Sequence, residues 1–170
     1  MTNGISRILV IGYGNPGRLD DGLGPAFAAA VEALRIPGVS VDSDYQLNVE
    51  DAADLAAYDV VVFADAAVNG PEPFSFRAIH PSEDVSFTTH SIEPESVFGL
   101  ARSLFGASTK AYALGIRGYA FNEFGEGLSE GAQRNLKAAM RFLEPVLRQR
   151  SFELAVQKEC DTMHINEGLL

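Results

Sequence analysis

Three stretches of this 170-residue chain combine residue types that do chemistry. The first is Gly12-Tyr13-Gly14-Asn15-Pro16-Gly17, directly after an apolar run and followed by Arg18-Leu19-Asp20-Asp21-Gly22. The second is Asp65, which ends the run Val60-Val61-Val62-Phe63-Ala64. The third is His90, within Thr89-His90-Ser91. A Gly-x-Gly-x-x-Gly loop binds a dinucleotide when a helix begins inside it and meets the pyrophosphate. Here the acidic pair intervenes, helical spacing starts only near Gly24, and two carboxylates would repel a diphosphate. Carboxylates with an imidazole instead suit a borderline divalent ion such as Ni²⁺ or Zn²⁺, with coordination positions left open.

Plainer readings stand beside these. Asp20 and Asp21 both suit a turn or cap before a helix, and that reading carries more weight for Asp20. Gly14 and Asn15 read as residues that shape the loop. Asp65 is hard to place as a solvated loop residue, and a buried carboxylate needs partners. His90, taken alone, divides evenly between capping and ligation. His80, beside Pro81, reads as a surface residue, while Cys160 and His164 fall in a polar tail where four-residue spacing says little.

The elements around these residues alternate strand and helix, which predicts an α/β three-layer sandwich with a mainly parallel twisted sheet flanked by helices. Arg7 to Tyr13 and Val60 to Ala64 are near-continuous apolar runs, as expected of strands buried on both faces. Val39 to Val41 and Ala111 to Ile116 read as further strands, and Phe74 to Ile79, after Pro71 and Pro73, as an edge strand. A helix from Pro25 carries Phe27, Val31 and Leu34 on one face. Another, with Pro94 near its start, carries Val97, Leu100, Ala101, Leu104 and Phe105. The last begins near Ser129, a suitable N-cap, with Leu136, Met140, Leu143 and Leu147 along one face and Pro145 expected to kink or end it. Residues 1–150 read as a single domain and 151–170 as a polar C-terminal tail. In parallel α/β sheets, loops and ligand groups collect at the carboxyl ends of the strands, where Asp21, Asp65 and His90 can meet.

Composition narrows the classes. The net charge of −10, from 13 Lys and Arg against 23 Asp and Glu, repels phosphate backbones, so no nucleic-acid partner is expected. No apolar run reaches the roughly 20 residues of a membrane span. The N-terminus lacks a charged segment followed by a long apolar one, and one cysteine excludes an intrachain disulfide. A cytoplasmic protein is the expectation.

The run Ile8-Leu-Val-Ile-Gly-Tyr-Gly-Asn-Pro-Gly-Arg-Leu-Asp-Asp-Gly-Leu-Gly24 resembles the N-terminal motif of the [NiFe]-hydrogenase maturation endopeptidases. Ala64-Asp65-Ala66 and Thr89-His90-Ser91 continue the resemblance in order, over roughly residues 8–147. Peptidyl-tRNA hydrolases share the Gly-x-Gly-Asn-Pro-Gly stretch, but no His precedes His80 here and the charge is wrong for tRNA. Membership of the endopeptidase family implies removal of a C-terminal extension from a [NiFe]-hydrogenase large-subunit precursor, by a monomeric enzyme, after nickel insertion. It implies that Asp21, Asp65 and His90 form both the metal-recognition and the catalytic set. The nickel would be borne by the substrate rather than held as a resident cofactor, with zinc or cadmium as surrogates. Most relatives carry Glu where Asp21 stands, one methylene longer. Gln46-Leu47-Asn48-Val49-Glu50 is similar to a stretch that implies substrate selection. No Ser-His-Asp or Cys-His arrangement stands in motif context, so a covalent nucleophile is not expected. A metal-polarised carbonyl or water, and a carboxylate acting as general base, both remain open. The alternatives are a nickel-binding chaperone without hydrolysis, and a nucleotide-binding module on Gly12, Gly14 and Gly17.

Overall fold

A computed structural model describes residues 4–82, 87–88 and 91–158. Strands β1 (Ile8–Tyr13), β2 (Val39–Asp44) and β3 (Val60–Ala67) are followed by β4 (Phe74–Ala78) and the two-residue strands β5 (Phe87–Thr88) and β6 (Ser91–Ile92). Strand β7 spans Lys110–Arg117. The helices are α1 (Leu23–Leu34), α2 (Asp51–Leu55), α3 (Pro94–Phe105) and α4 (Glu130–Gln149). The main sheet runs β2-β1-β3-β7-β4, parallel except for β4, which pairs antiparallel with β7 at the edge. The three-layer α/β reading is thus the observed architecture, and Phe74 to Ala78 is the edge strand that its alternation and flanking prolines predicted.

Continuous apolar strands divide into two cores because successive side chains point to opposite faces. Ile8, Val10, Val60, Val62, Leu114 and Ile116 join Phe27, Val31 and Leu143 on the α1/α4 side. Leu9, Ile11, Val61 and Phe63 join Leu55, Val97, Phe98 and Ala101 on the α2/α3 side. Each such side chain withdrawn from water contributes about 1.5–3 kcal/mol, so both faces hold the sheet. Ser129 caps α4, its hydroxyl accepting the Ala132 N–H at 3.2 Å.

Three expectations are corrected and one short helix is added. Helix α4 passes through Pro145 to Gln149. Pro145 lies on the exposed side, where the carbonyl it leaves without a partner can be solvated. On α3 the buried face is Pro94, Val97, Phe98 and Ala101, while Leu104 and Phe105 stand 65% and 53% exposed in the last turn. Packing does not stop at residue 150, for Phe152 and Ala155 belong to the α1/α4 core and Phe152 stacks on Tyr112 at 5.2 Å. Helix α2, only five residues long, had no periodic signal; Leu47 before it is buried and the Asn48 N–H is accepted by Asp51 at 2.7 Å. His90, Cys160 and His164 lie outside the described residues.

Candidate active site at the carboxyl edge of the sheet

Asp21 is positioned by a loop built to close tolerance. The Asn15 side chain accepts the Gly17 N–H at 2.9 Å, and the Asn15 N–H is accepted by the Asp21 carboxylate at 2.9 Å. A Cβ at Gly14, whose φ is +143°, would lie 2.1 Å from the Asp21 carbonyl oxygen. A Cβ at Gly12 would lie 2.1 Å from the Gly24 carbonyl oxygen, and one at Gly24 2.3 Å from that of Tyr13. The chain's own backbone therefore fills the space that a dinucleotide loop leaves for pyrophosphate, and the glycines serve to press α1 onto β1. Leu19 holds a left-handed conformation, φ 52°, beside the acidic pair. Such strain in a non-glycine residue costs of order 1–3 kcal/mol and persists only where neighbours enforce it.

The neighbours that enforce it converge on Asp20. Its carboxylate is fully buried and accepts from the Tyr119 N–H (2.8 Å), the Ala120 N–H (3.0 Å), the Ser129 N–H (2.8 Å) and the Ser129 hydroxyl (2.7 Å). Burial alone would raise this carboxyl, but the Ser129, Tyr119 and Ala120 donors outweigh it and hold it below the usual carboxylate range. Asp20 is thus the cap-and-turn residue its plainer reading described, although its partners lie far along the chain.

Asp65 is set differently. It stands near the end of β3, paired with Gly115 of β7, and its Oδ1 accepts the Ala66 N–H at 2.7 Å. Burial is the largest influence and pushes its carboxyl up to about 7. The Ala66 N–H and the Tyr13 hydroxyl oppose the rise, while the charges of Asp21 and Glu93 add to it. Asp21 and Asp65 therefore share one electrostatic neighbourhood at the carboxyl ends of β1 and β3, as the topology predicted. Tyr13 is the site residue the sequence reading missed. Burial first, then the charges of Asp65, Glu93 and Glu95, raise its hydroxyl, so it is a neutral donor to Asp65. Its place in Gly12-Tyr13-Gly14 was visible, but the partner across the sheet was not.

A cavity of about 230 Å³ opens beside Asp65, lined in part by Tyr13, Ser75, Arg77, Glu93 and Glu95. Arg77 and Glu95 pair across it at 2.8 Å. Two larger cavities, about 720 and 620 Å³, lie around Lys110 at the amino end of β7, away from both carboxylates. Among the described residues no set of three or more His, Cys, Asp and Glu is arranged to hold a metal. The described part of the site is a pair of carboxylates that repel one another, which a cation would relieve.

This architecture recurs in solved structures. The [NiFe] hydrogenase maturation protease HycI of Thermococcus kodakarensis is 23% identical, with a TM-score of 0.66 over 86% of this chain and 95% of that one. The hydrogenase maturating endopeptidase HybD of E. coli is 25% identical, with a TM-score of 0.62 over 85% and 93%. A hydrogenase 2 maturation peptidase from a Thaumarchaeota archaeon is also 25% identical, with a TM-score of 0.60 over 82% and 97%. No family model matches the chain, and no curated protein matches it in sequence. The fold is that of solved peptide hydrolases. The chain shares this fold with the hydrogenase maturation proteases and is similar to them over most of its length. No helix among the described residues is long and apolar enough to cross a membrane.

Proposed function

We propose that this protein removes the C-terminal extension of a [NiFe]-hydrogenase large-subunit precursor, and that it does so once nickel is in place. The observation that carries the reading is the pair Asp21 and Asp65, two hard oxygen donors at one edge whose charges act on each other, with no ion pair to either among the described residues. Asp21, Asp65 and the imidazole of His90 would contact the nickel borne by the precursor, and zinc or cadmium would stand in for it in the free protein. The enzyme would work as a cytoplasmic monomer.

The raised Asp65 carboxyl gives the recognition a proton linkage. Near neutrality, without a cation, Asp65 shares its environment with Asp21 by carrying a proton for much of the time. A cation reaching the pair favours the charged form, so docking of a nickel-bearing precursor releases that proton. Tyr13 donates to one side of Asp65 and fixes its rotamer, leaving the other oxygen to meet the nickel.

A cleavage assay on nickel-loaded precursor tests this directly. Wild type should release the tail only when nickel is present. His90→Ala, Asp21→Asn and Asp65→Asn should each lower the rate by at least about a hundredfold. Full activity in all three variants would refute the site, and an intact precursor with wild type would refute the function.

A further inference from the structure

Exposed large apolar side chains among the described residues fall into two groups, Leu104, Phe105 and Leu154 lying away from the carboxyl edge of the sheet and the others near it. Tyr45 (70% exposed), Val68 (59%) and Phe124 (88%) all stand on segments that leave the carboxyl ends of β2, β3 and β7, at the edge that holds Asp21 and Asp65. A lone exposed aromatic is ordinary. Phe124 differs because the loop beneath it is pinned. The Leu19 N–H is accepted by the Gly125 carbonyl at 3.0 Å, and the Gly125 N–H by that of Gly17 at 2.8 Å, on the two sides of Arg18. The Arg18 guanidinium sits 5.6 Å from the centre of the Phe124 ring. Asp20 then holds the same 118–129 loop at Tyr119, Ala120 and Ser129. On the other flank of the Asp21 loop, Tyr45 borders a small cavity of about 180 Å³ with Gly14 and Pro16. An aromatic ring that is exposed, fixed in place and adjacent to a reaction centre loses little freedom on binding, which is the property of an interface anchor.

Charge indicates what meets it. Glu123 and Glu126 flank Phe124 and are exposed, and Asp42 and Asp44 flank the base of Tyr45. Asp42, Asp44 and Asp54 all press on the Asp51 carboxyl nearby. On a chain of net charge −10, this edge repels acidic surfaces and favours basic ones.

We propose that Phe124, seconded by Tyr45, anchors the folded body of the protein substrate, entering an apolar socket ringed by lysine and arginine side chains. The occupant rests on the function proposed above; the anchor does not depend on the metal or on His90. The precursor is thereby gripped at two places, its tail at the carboxylates and its body at Phe124.

The test uses the full chain with nickel-loaded precursor, comparing wild type, Phe124→Ala and Phe124→Tyr. Phe124→Ala should raise KM, and the Kd for precursor measured by surface binding, by about tenfold or more while kcat stays within about twofold. Phe124→Tyr, which keeps the ring, should restore both. The thermal midpoint should be the same in all three, since the side chain is 88% exposed. For wild type, KM should rise with added salt. An unchanged KM and Kd in Phe124→Ala would overturn the anchor and leave the proposed function standing. So would a wild-type dimer in sedimentation that Phe124→Ala dissociates, because the socket would then belong to a second copy. A wild type that neither binds nor cleaves precursor would overturn the function and the anchor together.

Discussion

Asp20 and Asp65 lie at the same edge of the sheet, and their surroundings drive them in opposite directions. Asp20 is closed to solvent, yet it stays charged because four donors from residues 119–129 converge on it. Asp65 has only the Ala66 N–H and the Tyr13 hydroxyl against its burial and the charges of Asp21 and Glu93, and its carboxyl rises to about 7. Burial raises both carboxyls, and the donors aimed at each decide whether that rise is overcome. The saturated one builds, and the unsaturated one has capacity left for a substrate.

Three experiments test this contrast. Removal of the saturated carboxylate should have the largest effect. Asp20→Ala strands the Ser129, Tyr119 and Ala120 donors and should destabilise the fold by roughly 3 kcal/mol, a fall in thermal midpoint of about 6–12 °C by calorimetry. A fall of a degree or less would show that the loop is held by something else.

Asp65→Asn should act with the opposite sign, and only at the right pH. A carboxyl raised from the usual range to about 7 in the folded state binds more protons folded than unfolded between about pH 4 and 7. Stability is therefore lost as pH rises through that window, and the full penalty is present above pH 7. The variant should be more stable than wild type by roughly 1–3 kcal/mol at pH 8, by roughly a third of that at pH 5, and nearly equal to it below about pH 4, in urea unfolding. Asp20, with its lowered carboxyl, has the reverse sign: its contribution is present above the ordinary carboxylate range and is lost in acid, as pH falls through its depressed value.

Tyr13→Phe is the finest probe. The hydroxyl favours the charged form of Asp65, so its removal should push that carboxyl higher still. The acid limb of the cleavage pH profile should move up by roughly half to one unit, worth about 1 kcal/mol, with the thermal midpoint little changed. An unmoved limb would mean that Asp65 is not the group whose ionisation the profile reports.

How much of this was readable in the sequence depends on distance along the chain. The runs at Ile8, Val60 and Ala111 announced buried strands, Ser129 announced its cap, and Phe74 to Ala78 announced an edge, because each signal is local. Asp21 and Asp65 could be assigned to one edge because parallel topology sends both loops there. The role of Asp20 was legible as a turn residue but not as a clamp, since its donors are 99 to 109 residues away. Tyr13 carried no sign of its contact with Asp65, which exists only after β1 and β3 pair. Leu104 and Phe105 misled because their spacing from Val97 fits a buried stripe while the face that packs is set one turn earlier. Phe152 was hidden in a polar context that gave no periodicity to follow.

The clamp on Asp20 also bears on when the enzyme comes into being. A link across about a hundred residues closes one of the longest loops in the chain, and contacts of that span form late in folding. A chain emerging from the ribosome possesses Asp21 and Asp65 long before it possesses Tyr119, Ala120 and Ser129. Until those residues arrive, Leu19 lacks the partners that enforce its strained backbone, and only local bonds such as that from the Asn15 N–H hold Asp21. The sheet can be largely assembled while the hydrolase is not, so an unfinished copy has the carboxylates of its site without their alignment.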